Sequence, residues 1–172
     1  MIARALLQQS DIFYDLTPAQ LDAVAGICLE KRFGFGEIVF EENSASDELY
    51  IIARGEVEIL VDPSLVGDRS QTPSRPTTIA VMRRGQSFGE IALVDQGLRS
   101  ATARSAAHDT HLIVISRSRL ISLCESEPLL GFRLMRNLAA ELTVKIRSTD
   151  LRIREELLYA QRGGRGSHEG GG

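Results

Sequence analysis

Gly85-Gln86-Ser87-Phe88-Gly89-Glu90-Ile91-Ala92-Leu93-Val94-Asp95-Gln96-Gly97-Leu98-Arg99-Ser100-Ala101-Thr102-Ala103-Arg104-Ser105 has the periodicity of neither a strand nor a full helix. Gly85 and Gly89 bracket a turn in which the main chain can approach a ligand closely, because glycine puts no side chain in the way. Glu90 to Val94 has room for one helical turn. The first amides of such a turn lack intrahelical partners and lie at the positive end of the peptide dipoles, so they suit an anionic oxygen. Gly97 ends the turn, and Arg99 follows at the mouth of the next strand. Its planar guanidinium can take two phosphate oxygens in a fork that lysine cannot reproduce. Ser100 and Ala101 are small enough to let their own N–H groups face the same anion. The stretch reads as an anion trap. The competing reading, a plain Glu90–Arg99 pair across a turn, gives the surrounding glycines and small residues no purpose.

Phe88-Gly89-Glu90-Ile91-Ala92-Leu93 and Arg99-Ser100-Ala101-Thr102 closely resemble the phosphate-binding cassette of cyclic nucleotide-binding domains. The likeness runs from about Leu6 to Leu142 and extends to the sensor domains of catabolite activator protein-type regulators and protein kinase A regulatory subunits. It implies a ligand site built from Phe88, Gly89, Glu90, Ile91, Ala92, Arg99, Ser100, Ala101 and Thr102. In that site Glu90 accepts a hydrogen bond from the ribose 2′-hydroxyl and Arg99 pairs with the cyclic phosphate. A 3′,5′-cyclic nucleotide has one free ribose hydroxyl and one negative charge, which an acceptor and a cation complement.

The ligand implied is cyclic AMP (cAMP) or cyclic GMP (cGMP). The position after the cassette arginine is often alanine in cAMP-binding kinase subunits, threonine in cGMP-binding kinases and serine in bacterial cAMP regulators. Ser100 therefore favours cAMP. Thr143 and Lys145 are expected to cap the base. Two departures from the family pattern stand out. Leu98 replaces a common proline, which would loosen the cassette, and Asn43 replaces a common glycine after Phe40, which asparagine tolerates because it accepts positive φ.

The chain has 172 residues, enough for about one domain with its own core. Its net charge is −3, which offers no overall electrostatic footprint for nucleic acid. Cys28 and Cys124 are far apart in apolar surroundings, and Cys28 shares a helical stripe with Leu21, Val24 and Ala25. A small core residue in a reducing cytoplasm is the expectation. No run of about eighteen apolar residues is present to span a bilayer, and the start lacks a secretory apolar core.

Along the chain, Leu6 to Phe13 predicts a short helix, and Thr17-Pro18-Ala19-Gln20 a capped helix start. Phe33–Phe40, Glu48–Arg54, Glu56–Val61, Thr78–Met82 and Thr110–Ser116 predict short strands of a sandwich or barrel, with turns at Gly36 and Gly55. Asp62 to Thr77 carries Pro63, Pro73 and Pro76 and predicts a long loop. His108 and His111 would point to opposite faces of a strand and do not suit a metal. No nucleophile is paired with a general base, so an enzyme is not expected. Pro128 opens a helix reaching to about Tyr159. Phe132, Ala139, Ile146, Ile153 and Ala160 recur in it every seven residues, with Met135 and Leu142 between them. Up to Leu142 that helix is expected to pack on its own roll, and beyond it on a second copy or a partner helix.

The expected fold is mainly β with flanking helices: a jelly-roll β-barrel followed by a long C-terminal helix. Residues 1–30 are read as N-terminal helices, 31–116 as the roll with its cassette at 85–105, 117–160 as lid and dimer helices, and 161–172 as a flexible Gly-rich tail. The function implied is a cytoplasmic cyclic nucleotide sensor that signals through its last helix, without a DNA-reading domain, a cofactor or a metal. A ligand-free roll used for dimerisation or docking is the alternative, and a cupin-like metalloenzyme a remote third.

Overall fold

The computed structural model describes residues 2–45, 47–62, 75–95 and 97–163. Most of the expected 62–77 loop and residues 164–172 of the expected tail lie outside these residues, while 161–163 continue the last helix. Two four-stranded antiparallel sheets form a jelly roll, with helices before and after it. Its strands are β1 (Cys28–Phe33), β2 (Ile38–Phe40), β3 (Glu48–Arg54), β4 (Glu56–Val61), β5 (Thr77–Arg83), β6 (Ser87–Phe88), β7 (Thr102–Ser105) and β8 (Thr110–Ser116). The sheet orders are β1-β8-β3-β6 and β2-β7-β4-β5.

Leu49–Ala53 of β3 and Leu112–Ile115 of β8 are apolar without a break because both faces are covered there. Tyr50, Ile52, Leu112 and Val114 face the second sheet, while Leu49, Ile51, Ile113 and Ile115 join the leucines of the helices. The period of two thus divides one strand between two cores. In β4, Val57 and Ile59 alternate with Glu56 and Glu58, after which the pairing with β5 shifts and Leu60 becomes the next fully buried residue.

Two local differences from expectation have physical causes. Leu6, Leu7, Ile12 and Phe13 would spread around a continuous helix. The chain instead ends α1 (Ile2–Leu7), turns at Gln8-Gln9-Ser10 and makes a 3-10 turn at Asp11–Phe13, so that all four are buried. The second helix, α2 (Pro18–Gly26), has the expected capping box between Thr17 and Gln20. It stops before Cys28, which opens β1 and not the end of a helix. Cys28 is still half-buried against the core, its thiol donates to the Val24 carbonyl at 3.3 Å, and burial pushes that thiol up to about 12.

A single turn, α3 (Ile91–Val94), follows β6. Helices α4 (Arg117–Ser126) and α5 (Pro128–Gly163) close the described chain. Early in α5, Leu130, Leu134 and Leu138 are buried, and Asn137 donates to the carbonyls of Ile12 and Tyr14. Met135 and Leu142 pack partly against the same core. Phe132, Ala139, Ile146 and Ile153 form an exposed line beside it. Among the described residues no helix is long and apolar enough to cross a membrane.

Candidate functional site

The cassette is assembled by strand pairing from elements far apart in sequence. β6 pairs with β3, which sets Phe88 opposite Tyr50 with their rings stacked at 5.1 Å. Gly89 then takes φ +76°, a region glycine enters without steric cost. A Cβ there would lie 2.6 Å from Arg99 Nη1 and 3.1 Å from the Glu48 carbonyl oxygen.

Arg99 is held at both ends. Its N–H donates to the Ser44 carbonyl at 2.9 Å, and its carbonyl accepts from the Asn43 N–H at 2.8 Å. Asn43 has φ +63°, so the asparagine does take the left-handed conformation expected of it. The neighbouring Leu98 pairs with Ala45 in an isolated bridge, which supports the cassette where the family's usual proline is missing. The side chain runs inward, with Nη2 donating to the Glu48 carbonyl at 2.8 Å and Nη1 to the Gly89 carbonyl at 3.4 Å. The guanidinium carbon sits 4.1 Å from the centre of the Phe40 ring, within cation–π range.

Arg99 is only 5% exposed, and its Nε has no hydrogen-bond partner. Burial pulls its pKa down, against the pull of Tyr50, Asp47, Glu48 and Glu90. Among the described residues it forms no ion pair. The Glu48 carboxylate turns instead to Lys31 at 3.1 Å and to the Tyr50 hydroxyl. Burial pushes the Glu48 carboxyl up, but those two hydrogen bonds together with the Lys31 and Arg99 charges outweigh it and hold it below its ordinary value.

Above the cassette a cavity of about 370 Å³ opens. Of the residues expected from sequence, Phe88, Gly89, Glu90, Ile91, Arg99, Ser100 and Ala101 line it. Thr102 sits in β7, where its hydroxyl accepts from the Glu42 N–H at 3.0 Å, and it is not part of the cavity wall. Ala92 belongs to α3, and its side chain lies outside the description.

Apart from Lys145, the far wall escaped the sequence reading. Ile59, Ile79 and Met82 belong to strands whose pattern says only that they are half-buried. From α5 come Lys145, Ser148, Thr149 and Arg152, and their spacing of three and four residues on one helical face was a usable signal. Thr143, expected over the base, instead donates to the Ala139 carbonyl within its own helix. Lys145 reaches the cavity but goes to the carboxylates: its Nζ is 2.7 Å from Glu90 Oε1 and 3.0 Å from Glu141 Oε1. Burial alone would lower the Lys145 pKa, but the two carboxylates outweigh it and raise it.

His108 does not lie on a strand; it precedes β8 and packs on Phe35, while His111 Nε2 lies 3.1 Å from Glu30. Among the described residues no group of three His, Cys, Asp or Glu side chains is placed to hold a metal ion.

The sequence pattern of the family described as Cyclic nucleotide-binding domain matches residues 30–127, more than half of this chain. The chain belongs to that family. Within it, the cyclic AMP receptor protein of Thermus thermophilus is 29% identical over 147 residues, covering 86% of this chain and 62% of that protein. The chain therefore spans about three-fifths of the length of this relative. The solved structure of Thermus thermophilus catabolite activator protein superposes with a TM-score of 0.69 at 27% identity, covering 87% of this chain and 63% of that one. A cyclic nucleotide-binding domain from Methylobacillus flagellatus superposes at 0.75 with 22% identity, covering 90% and 82%, and shows the shared fold.

Proposed function

We propose that the chain is a regulatory sensor that binds a 3′,5′-cyclic mononucleotide in the cavity beneath α5, cAMP in preference to cGMP, and signals through that helix. The observation that carries this reading is the buried Arg99 guanidinium, with no ion pair among the described residues and an unsatisfied Nε. A buried charge without a counter-ion is costly, and an anionic ligand that completes the site removes the cost. The cavity, at about 370 Å³, is at the small end of ligand pockets, which run from roughly 300 Å³ upward. It suits one nucleotide. Ser100 on its wall and the likeness to a protein named for cAMP support the base preference.

Signalling follows from differential binding. A ligand that prefers the state with α5 closed over the cavity shifts the helix toward that state. The exposed line Phe132, Ala139, Ile146 and Ile153 supports a second copy as the partner of α5, which sedimentation of the purified chain measures.

Calorimetric titration with cAMP and with cGMP tests the reading. Arg99→Ala should weaken binding by about 2–5 kcal/mol, the range for truncating one partner of a buried charge pair. That is a loss of at least about 25-fold. An Arg99→Ala protein that binds as tightly as wild type rules the site out.

A further inference from the structure

Glu90 and Lys145 meet at the cavity wall from different parts of the fold. Glu90 is on the roll and almost fully buried, while Lys145 enters from α5. Lys145 is itself held by Glu141, which accepts a hydrogen bond from the Ser87 hydroxyl at 3.0 Å. The bonds thus run from β6 to α5 and back to the cassette. An ammonium has three donors, and the two carboxylates take two of them, leaving one. An ionised glutamate only accepts and a lysine only donates, whereas a hydroxyl does both. Glu90 alone therefore answers half of a sugar hydroxyl. Glu90 and Lys145 together answer all of it.

On the reading that the cavity takes a cyclic nucleotide, we infer that Lys145 is a specificity-determining residue for the sugar. Its remaining N–H donates to the 2′-hydroxyl oxygen whose hydrogen goes to Glu90. Sugar recognition is thereby divided between the roll and the helix, so a ligand with this hydroxyl fastens α5 to the cassette. A 2′-deoxy ligand leaves that fastening as it is.

The test is calorimetry with cAMP, cGMP and their 2′-deoxy analogues, with circular dichroism confirming that each variant is folded. Lys145→Met should weaken the preferred ribonucleotide about tenfold, as expected for one lost hydrogen bond to a charged group. Its affinity for the 2′-deoxy analogue should stay within about twofold. Glu90→Gln should keep part of the ribose preference, and adding Lys145→Met should remove the remainder. Equal weakening of both sugars by Lys145→Met would show that the lysine only packs the helix, and would overturn the inference. So would complete loss of ribose preference in Glu90→Gln alone, because Lys145 would then act only through the carboxylate. If wild type binds neither ribonucleotide, the functional reading fails and this inference goes with it. If wild type binds and Lys145→Met keeps full ribose preference, only this inference fails.

Discussion

Arg99 and Gly89 depend on each other at a distance of a single atom. The guanidinium can lie under the cassette because residue 89 has no side chain: an added Cβ would meet Nη1 at 2.6 Å and the Glu48 carbonyl oxygen at 3.1 Å. Gly89 also has φ +76°, where an alanine is strained. Gly89→Ala should therefore lose about 1–3 kcal/mol of stability. It should also weaken nucleotide binding, because Arg99 must move. Gly85→Ala is the control. It shares the positive φ of +86°, but a Cβ there meets nothing closer than the Gln9 carbonyl oxygen at 4.0 Å. That variant should melt earlier yet bind as wild type. Thermal melts with parallel titrations decide, and a Gly89→Ala protein with unchanged affinity would mean that Arg99 needs no such clearance. That Glu90 and Arg99 would line one cavity was legible from spacing and residue chemistry. That Lys145 would face the ligand was implied by the resemblance, but its pairing with Glu90 was not, since nothing local to either residue reports a contact 55 positions apart.

Helix α5 is held very differently along its two halves. Leu130, Leu134 and Leu138 are fully buried, and each such side chain contributes roughly 1.5–3 kcal/mol. Past Leu142 the helix meets the roll mainly through polar contacts, Lys145 on Glu90 and Arg152 on the Ile79 carbonyl. The exposed Arg152 contact is worth about 1 kcal/mol, and the Lys145–Glu90 pair is only part-buried. The distal half is therefore the part a ligand can reposition. Hydrogen exchange should show protection from residue 143 to 159 changing on nucleotide binding while 130–138 stays constant. Identical exchange throughout α5 with and without ligand would remove the helix as the output. The change from anchored to exposed near Leu142 was readable, because charge crowds a thin apolar line there. The break in α1 and the strand at Cys28 were not. Each serves contacts with partners distant in sequence, and a local period cannot report them.

For the molecule as a whole, two cores share β3 and β8, so the roll and its flanking helices are joined through the same two strands. That arrangement leaves the outer line of α5 without cover. Ile146 is 62% exposed there and Phe132 64%. Two such lines brought together would bury apolar surface in the manner of a two-helix seam. The chain should sediment at about twice its 18.9 kDa, and Ile146→Lys should sediment as a monomer. A wild-type monomer at every concentration would assign that line to a different protein.

By itself the sequence determined the residue chemistry of the cassette, the alternation that makes a sandwich and the capped start of α2. All three follow from neighbours a few positions apart, where backbone geometry alone sets which groups meet. Only the tertiary structure decided that Arg99 is buried between the Glu48 carbonyl and the Phe40 ring, and that a lysine from α5 shares Glu90. Those contacts join residues about 50 positions apart. Strand register and helix docking set such distances, and both come from filling two cores at once.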